Sequence, residues 1–124
     1  MSESRRFAPH PLRWVVEPLM GEATYRERPM FGARGCYLND RLVLVLCSRG
    51  EEPWEGLLIP TERFHHASLL QEVEGLEVHP VLKKWLYLRE ALPEAFESAA
   101  LRLVDLIKEA DSRVGVASRS RRRR

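Results

Sequence analysis

Six consecutive apolar residues, Leu42-Val43-Leu44-Val45-Leu46-Cys47, follow the dipeptide Asn39-Asp40 and constrain the fold more than any other segment. The run is far too short for a membrane-spanning helix, which takes about 20 apolar residues. Its branched side chains and the two-residue turn before it read as the second arm of a β-hairpin, Arg41 to Ser48. Successive strand side chains point to opposite faces, so an all-apolar strand demands cover on both sides. With Leu38 opposite Arg41 and Cys36 opposite Val43, the residues Leu42, Leu44 and Leu46 face one way. Val43, Val45 and Cys47 face the other, beside Cys36 and Leu38. A two-layer domain covers one side only. Val43, Val45, Cys47, Cys36 and Leu38 are therefore the expected interface for a second copy or another protein, because monomers rarely leave such a patch bare. The alternative is a three-layer monomer, in which the opening helix or a helix over 62–73 crosses to the second face.

The other elements follow from periodicity. Leu12, Val15, Val16, Leu19 and Met20 have helical spacing after Pro11, and Pro18 kinks or ends that helix near Glu17. The first hairpin arm runs over 25–38, with Gly32 and Gly35 marking a bulge or a sharp bend. A third strand over 56–59 stops at Pro60, and Thr61 is placed to cap the helix over 62–73. Strands over 76–79 and 84–88 follow, the latter with Trp85 and Tyr87 on one face. Pro93 opens the clearest helix, whose Phe96, Ala99, Ala100, Leu103, Val104 and Ile107 form a stripe wide enough to cover a sheet. The predicted order is α-β-β-β-α-β-β-α, an α+β, two-layer domain with a mainly antiparallel sheet.

The segment from Arg28 to Leu38, centred on Met30-Phe31-Gly32 with Gly35 close behind, lies after a helix and before a hairpin turn. In that setting it resembles the N-terminal domain of the TfoX/Sxy competence regulators. The resemblance extends over 12–108, through the Leu42 to Leu46 strand, the aromatic stretch from Trp85 to Pro93, and the last helix. It implies an α+β domain of the secretion-chaperone-like type, standing alone and without an assigned activity.

Charge divides the chain unevenly. Arg113, Arg119, Arg121, Arg122, Arg123 and Arg124 fall in the last twelve positions, leaving 14 basic against 18 acidic residues in 1–112. The expected organisation is an N-terminal extension over 1–10, a single domain over 11–111 and a disordered Arg-rich tail over 112–124. Arg119, Arg121, Arg122, Arg123 and Arg124 are the candidate contacts to nucleic acid. Arg5 and Arg6 precede no apolar stretch of the secretory type, and two cysteines without metal-ligand spacing read as reduced core residues, so a cytoplasmic protein is expected.

Catalytic chemistry has little footing. Adjacent helical residues such as His65 and His66 diverge by about 100°, so they do not converge on one metal. His79 precedes Pro80 with no motif around it, and Gly32-Ala33-Arg34-Gly35 matches a nucleic-acid-clamping GxxG loop in letters but lies in a strand arm. Met30, Phe31, Trp14, Trp85 and Tyr87 either line a ligand pocket or fill the core. No cofactor is expected. The leading expectation is a non-catalytic binding or regulatory module acting through protein contacts. A nucleic-acid-associated protein using its arginine tail is the alternative, and an enzyme built from scattered residues the third.

Overall fold

The structure, a computed structural model, describes residues 10–91 and 93–118. Its sheet holds seven antiparallel strands: β1 (Arg26–Met30), β2 (Ala33–Leu38), β3 (Arg41–Ser48), β4 (Glu55–Ile59), β5 (Glu77–Val78), β6 (Leu86–Arg89) and β7 (Val116–Ala117). They lie in the order β1-β2-β3-β4-β6-β5, and β7 pairs with Arg41 and Leu42 of β3. A 3-10 helix (Arg13–Leu19), a second short 3-10 helix (Arg63–His65) leading into the helix α1 (His66–Glu72), and the long helix α2 (Pro93–Lys108) complete the described fold. The α+β class and the antiparallel sheet agree with the sequence reading.

The finer order differs at four places. The arm expected over 25–38 is itself a hairpin, because Phe31 and Gly32 adopt φ of +31° and +80° and fold β1 back on β2, with Met30 opposite Ala33. Positive φ at both central residues is what a two-residue hairpin turn of type I′ requires. The opening helix is 3-10 rather than α, held by i→i+3 bonds such as Val15 N–H to Leu12 O and Met20 N–H to Glu17 O. Pro18 lies inside it, and its ring and missing N–H are incompatible with a regular α ladder. Thr61 caps no helix; its hydroxyl donates to the Arg113 carbonyl at 2.5 Å. Finally, the segment expected to be disordered from 112 onward holds β7 as far as 117, so the domain runs past its expected end at 111. Arg113 anchors that segment through Glu72 on α1 and through Asp111, both at 2.7 Å, and its guanidinium holds the Asp111 carboxyl down at about 2.

The largest correction concerns β3. The Asn39-Asp40 turn and the Leu38–Arg41 pair stand as expected, with φ of 55° and 63° at the turn. Beyond them the register shifts: Tyr37 faces Leu42 while Cys36 faces Leu44, leaving Val43 as the extra residue of a bulge. Val43, Leu44 and Leu46 consequently join Cys36 and Leu38 in the core beneath the helices. Leu42, Val45 and Cys47 belong to a second cluster with Leu58 and Tyr87. The expected interface of Val43, Val45, Cys47, Cys36 and Leu38 is therefore split between two clusters, and each of the five is buried within this one chain. Cys36 and Cys47 are both free, one in each cluster.

Neither helix crosses to the second cluster. Apolar residues of the 3-10 helix, α1 and α2 all pack into the first cluster, around Leu44, Leu57 and Leu86. The second is closed instead by Met30 and Tyr37 from the first hairpin, by Trp54, Leu82 and Trp85 from two loops, and by Val116 of β7. Aromatic side chains on loops thus supply the cover that a third layer would have given.

Candidate functional site

The loop-built roof leaves a cleft of about 580 Å³ beside the second cluster. Met30 and Phe31 at the tip of the first hairpin form one end, and Tyr37 and Leu42 lie along it. Trp85 and Lys84 form another wall with Glu62, and β7 with Ser118 closes it. The volume is in the range of sites that enclose a small molecule or a single large side group. Gly35 explains the shape beneath Met30. A Cβ there would meet Met30 Cε at 3.0 Å, Leu42 Cδ1 at 3.2 Å and Tyr37 Cε1 at 3.3 Å, so three side chains converge over a position that carries none.

Phe31 is 50% exposed, and its ring meets Trp54 edge-on at 6.1 Å. Arg49 lies over the same Trp54 ring at 5.4 Å, and Arg28 lies over Tyr37 at 5.7 Å. Among the described residues neither Arg28 nor Arg49 has an ion-pair partner, whereas Lys84 pairs with Glu62 at 3.6 Å on the rim. Aromatic faces and uncompensated guanidinium groups therefore share one surface.

Beneath it, polar groups hold the two loops in place. His79 is fully buried; its Nδ1 accepts from the Val81 and Leu82 N–H groups at 3.1 and 2.9 Å, and its Nε2–H donates to Pro53 O at 2.9 Å. The Tyr87 hydroxyl accepts from Glu55 N–H at 3.0 Å and donates to Glu52 Oε1 at 2.8 Å. Both nitrogens of the imidazole are thus committed to backbone, which makes His79 a clamp between the Trp54 and Trp85 loops.

Burial lowers the pKa of His79, against the smaller raising effects of the Pro53 carbonyl and Glu77. Protonation would point an Nδ1–H at two N–H donors. The unfolded chain, with an ordinary imidazole near 6.5, binds that proton more readily, so stability is full above this pH and falls as pH drops below it. One such group contributes a slope of at most about 1.4 kcal/mol per pH unit. Urea titrations from pH 7.5 to 5 should show this loss in the native chain and a flatter profile in His79→Gln. Equal slopes would remove the clamp.

Other groups with reactive side chains are likewise accounted for by structure. Burial would raise the pKa of Glu27, but hydrogen bonds from Tyr25 (2.8 Å), Arg34 (3.1 Å) and Arg13 (3.3 Å) outweigh it and hold the carboxyl below its usual range. Burial pushes the Cys36 thiol up to about 12 and the Cys47 thiol to about 11, so both are protonated at neutral pH and poor nucleophiles. Among the described residues no three His, Cys, Asp or Glu side chains are grouped to hold a metal. No helix among them is long and apolar enough to cross a membrane.

The sequence motif Met30-Phe31-Gly32 forms the turn at the cleft mouth, and Gly35 sits under Met30. Of the five candidate pocket residues, Met30, Phe31 and Trp85 are brought together. Trp14 is not; it packs edge-on against Phe96 of α2 at 6.1 Å. Tyr87 lies buried in the second cluster. Arg119, Arg121, Arg122, Arg123 and Arg124 lie outside the described residues, but Ser118, directly before them, lines the cleft. Arg28, Arg49, Tyr37 and Trp54 escaped sequence reasoning. Arginines separated by 21 positions reveal no common surface until the hairpins are paired.

Comparison of the chain with family models, with curated proteins and with solved structures gives no match.

Proposed function

We propose that the chain is a non-catalytic binding module that works through the aromatic cleft and holds nucleic acid, with the arginine tail supplying phosphate contacts. The observation that carries this reading is a pair of arginines beside the cleft, together with an Arg-rich run that follows the cleft-lining Ser118 in sequence. Arg28 lies over the cleft-lining Tyr37 and Arg49 over Trp54, which meets Phe31 at the cleft mouth; neither has an acidic partner among the described residues. The resemblance to the TfoX/Sxy N-terminal domain and its secretion-chaperone-like fold belong to the same proposal, since the Met30-Phe31-Gly32 signature then forms part of the binding mouth. So does a cytoplasmic location, which two free, buried thiols support.

A chain ending at Ser118, which retains β7, tests it. Full-length protein should shift duplex DNA with a log-log salt slope of about −0.9 per phosphate contact, reaching roughly −4.5 if all five tail arginines engage. The shortened chain should lose most of that slope and affinity. Equal binding by the two chains, or binding of neither duplex nor single-stranded nucleic acid by either, would remove the proposal. A protein partner or a second copy seated on the cleft is the second reading, favoured by the half-exposed Phe31. It is the outcome indicated if neither chain binds DNA but light scattering shows an oligomer that Phe31→Ser dissociates.

A further inference from the structure

We infer that the cleft is a stacking site for an unpaired base, so that this chain prefers single-stranded nucleic acid to duplex. The inference rests on the nucleic-acid reading above and specifies the form of nucleic acid that the site takes. In a duplex the flat faces of the bases are covered by their neighbours, and proteins reach only base edges and phosphates. A cleft walled by rings has nothing to stack on there. In a single strand each base presents its face to an aromatic side chain, and stacking tolerates any sequence because every base has one.

The cleft has the parts that such a site needs. Phe31 offers a half-exposed ring at its mouth, and Trp85 and Tyr37 line its walls. Phe31 stands edge-on to Trp54, which is itself covered by Arg49, so the ring is propped from behind rather than free to fold away. Gly35 keeps the space beneath Met30 and Tyr37 tight. Arg28 and Arg49 flank the aromatic surface with positive charge that no described carboxylate neutralises, suited to phosphates on either side of an inserted base. Glu62 is the acid on the rim, and Lys84 pairs with it. The body as a whole is acidic, with 14 basic against 18 acidic residues in 1–112, which disfavours broad adhesion to a duplex and leaves the local site to decide.

The test is fluorescence anisotropy with labelled dT20, U20 and a 20-base-pair duplex, using the full-length chain, the chain ending at Ser118, Phe31→Ala and Arg49→Gln. Full-length protein should bind dT20 or U20 at least about tenfold more tightly than the duplex; the ratio of the two oligomers separates DNA from RNA. Phe31→Ala should weaken oligomer binding by about 5- to 150-fold, as loss of one stacking ring does. It should leave the oligomer salt slope unchanged, because it removes no charge. Arg49→Gln should lower the oligomer salt slope by about 0.7, the single-strand value for one contact. In a Trp14→Phe background, dT20 should quench the emission of Trp54 and Trp85, which reports on the cleft whatever the tail does. Equal affinity for duplex and single strand, or a Phe31→Ala chain that is folded by circular dichroism and binds dT20 like the native one, would overturn the inference. With tail-dependent duplex binding intact, that result would still leave the nucleic-acid reading standing. Failure to bind any of the three probes would overturn both.

Discussion

Gly56→Ala should be among the most damaging single substitutions in this chain, lowering stability by about 3–5 kcal/mol in chemical denaturation. Gly56 lies in β4 opposite Arg89 of β6, with φ of +148°, a backbone conformation that side chains seldom accept. A Cβ there would stand 2.1 Å from the Leu88 carbonyl oxygen and 3.1 Å from the Glu90 nitrogen. Both obstacles are backbone, so no rotamer change relieves them. The strands must part, and with them the pairs Leu57–Leu88 in the first cluster and Leu58–Tyr87 in the second. Small domains are stable by only about 5–15 kcal/mol in total, so the variant should be marginal or unfolded. Gly21→Ala is the control. Its added carbon meets nothing within 4 Å, and it should stay within about 0.5 kcal/mol of the native chain. A Gly56→Ala chain as stable as that control would mean that β4 and β6 are not paired in this register.

The contrast between those glycines shows what one-dimensional reading reaches. Local signals were legible: Asn39-Asp40 turns with both residues at positive φ, and the apolar stripe of α2 is buried from Phe96 to Ile107. The demand for cover on both faces of β3 was also legible, because it follows from alternation alone. What supplies the cover was not. The bulge at Val43 lies where β7 comes alongside, and Gly115, 72 positions later, approaches Val43 Cγ1 so closely that a Cβ would stand 3.1 Å from it. No window around the strand contains that neighbour. The cleft is hidden for the same reason, since Phe31 and Trp85 in its lining come from a turn and a loop far apart in sequence, Phe31 meeting Trp54, whose loop His79 ties to that of Trp85. In sequence Gly32 and Gly35 mark only a bulge or a sharp bend within one arm, because a phenylalanine at positive φ, here Phe31, is rare enough that its letter gives no warning of a turn.

Replacing Val45 by Asp should unfold the chain rather than expose or dissociate a surface. From alternation, Val45 belongs to a patch that a partner hides, and a charge there would separate partners while leaving each folded. In the structure Val45 is 0% exposed, opposite Gly35 on one side and Leu58 on the other, in the cluster that Tyr87 and the Trp54 and Trp85 loops close. A carboxylate introduced among these apolar groups would lack both water and a cation, and the loss of packing adds to the electrostatic penalty. The combined effect is about 4 kcal/mol or more, most of the stability of a domain this size. Circular dichroism should show an unfolded or strongly destabilised Val45→Asp chain, whereas Phe31→Asp, altering a half-exposed ring at the mouth of the neighbouring cleft, should remain folded. Light scattering on both variants completes the test. If Val45→Asp is instead folded and of smaller mass than the native protein, Val45 faces a partner and the loops do not form the roof described for them. If it is folded and unchanged in mass, the β3 bulge itself is misplaced, because only a different register would turn position 45 toward water.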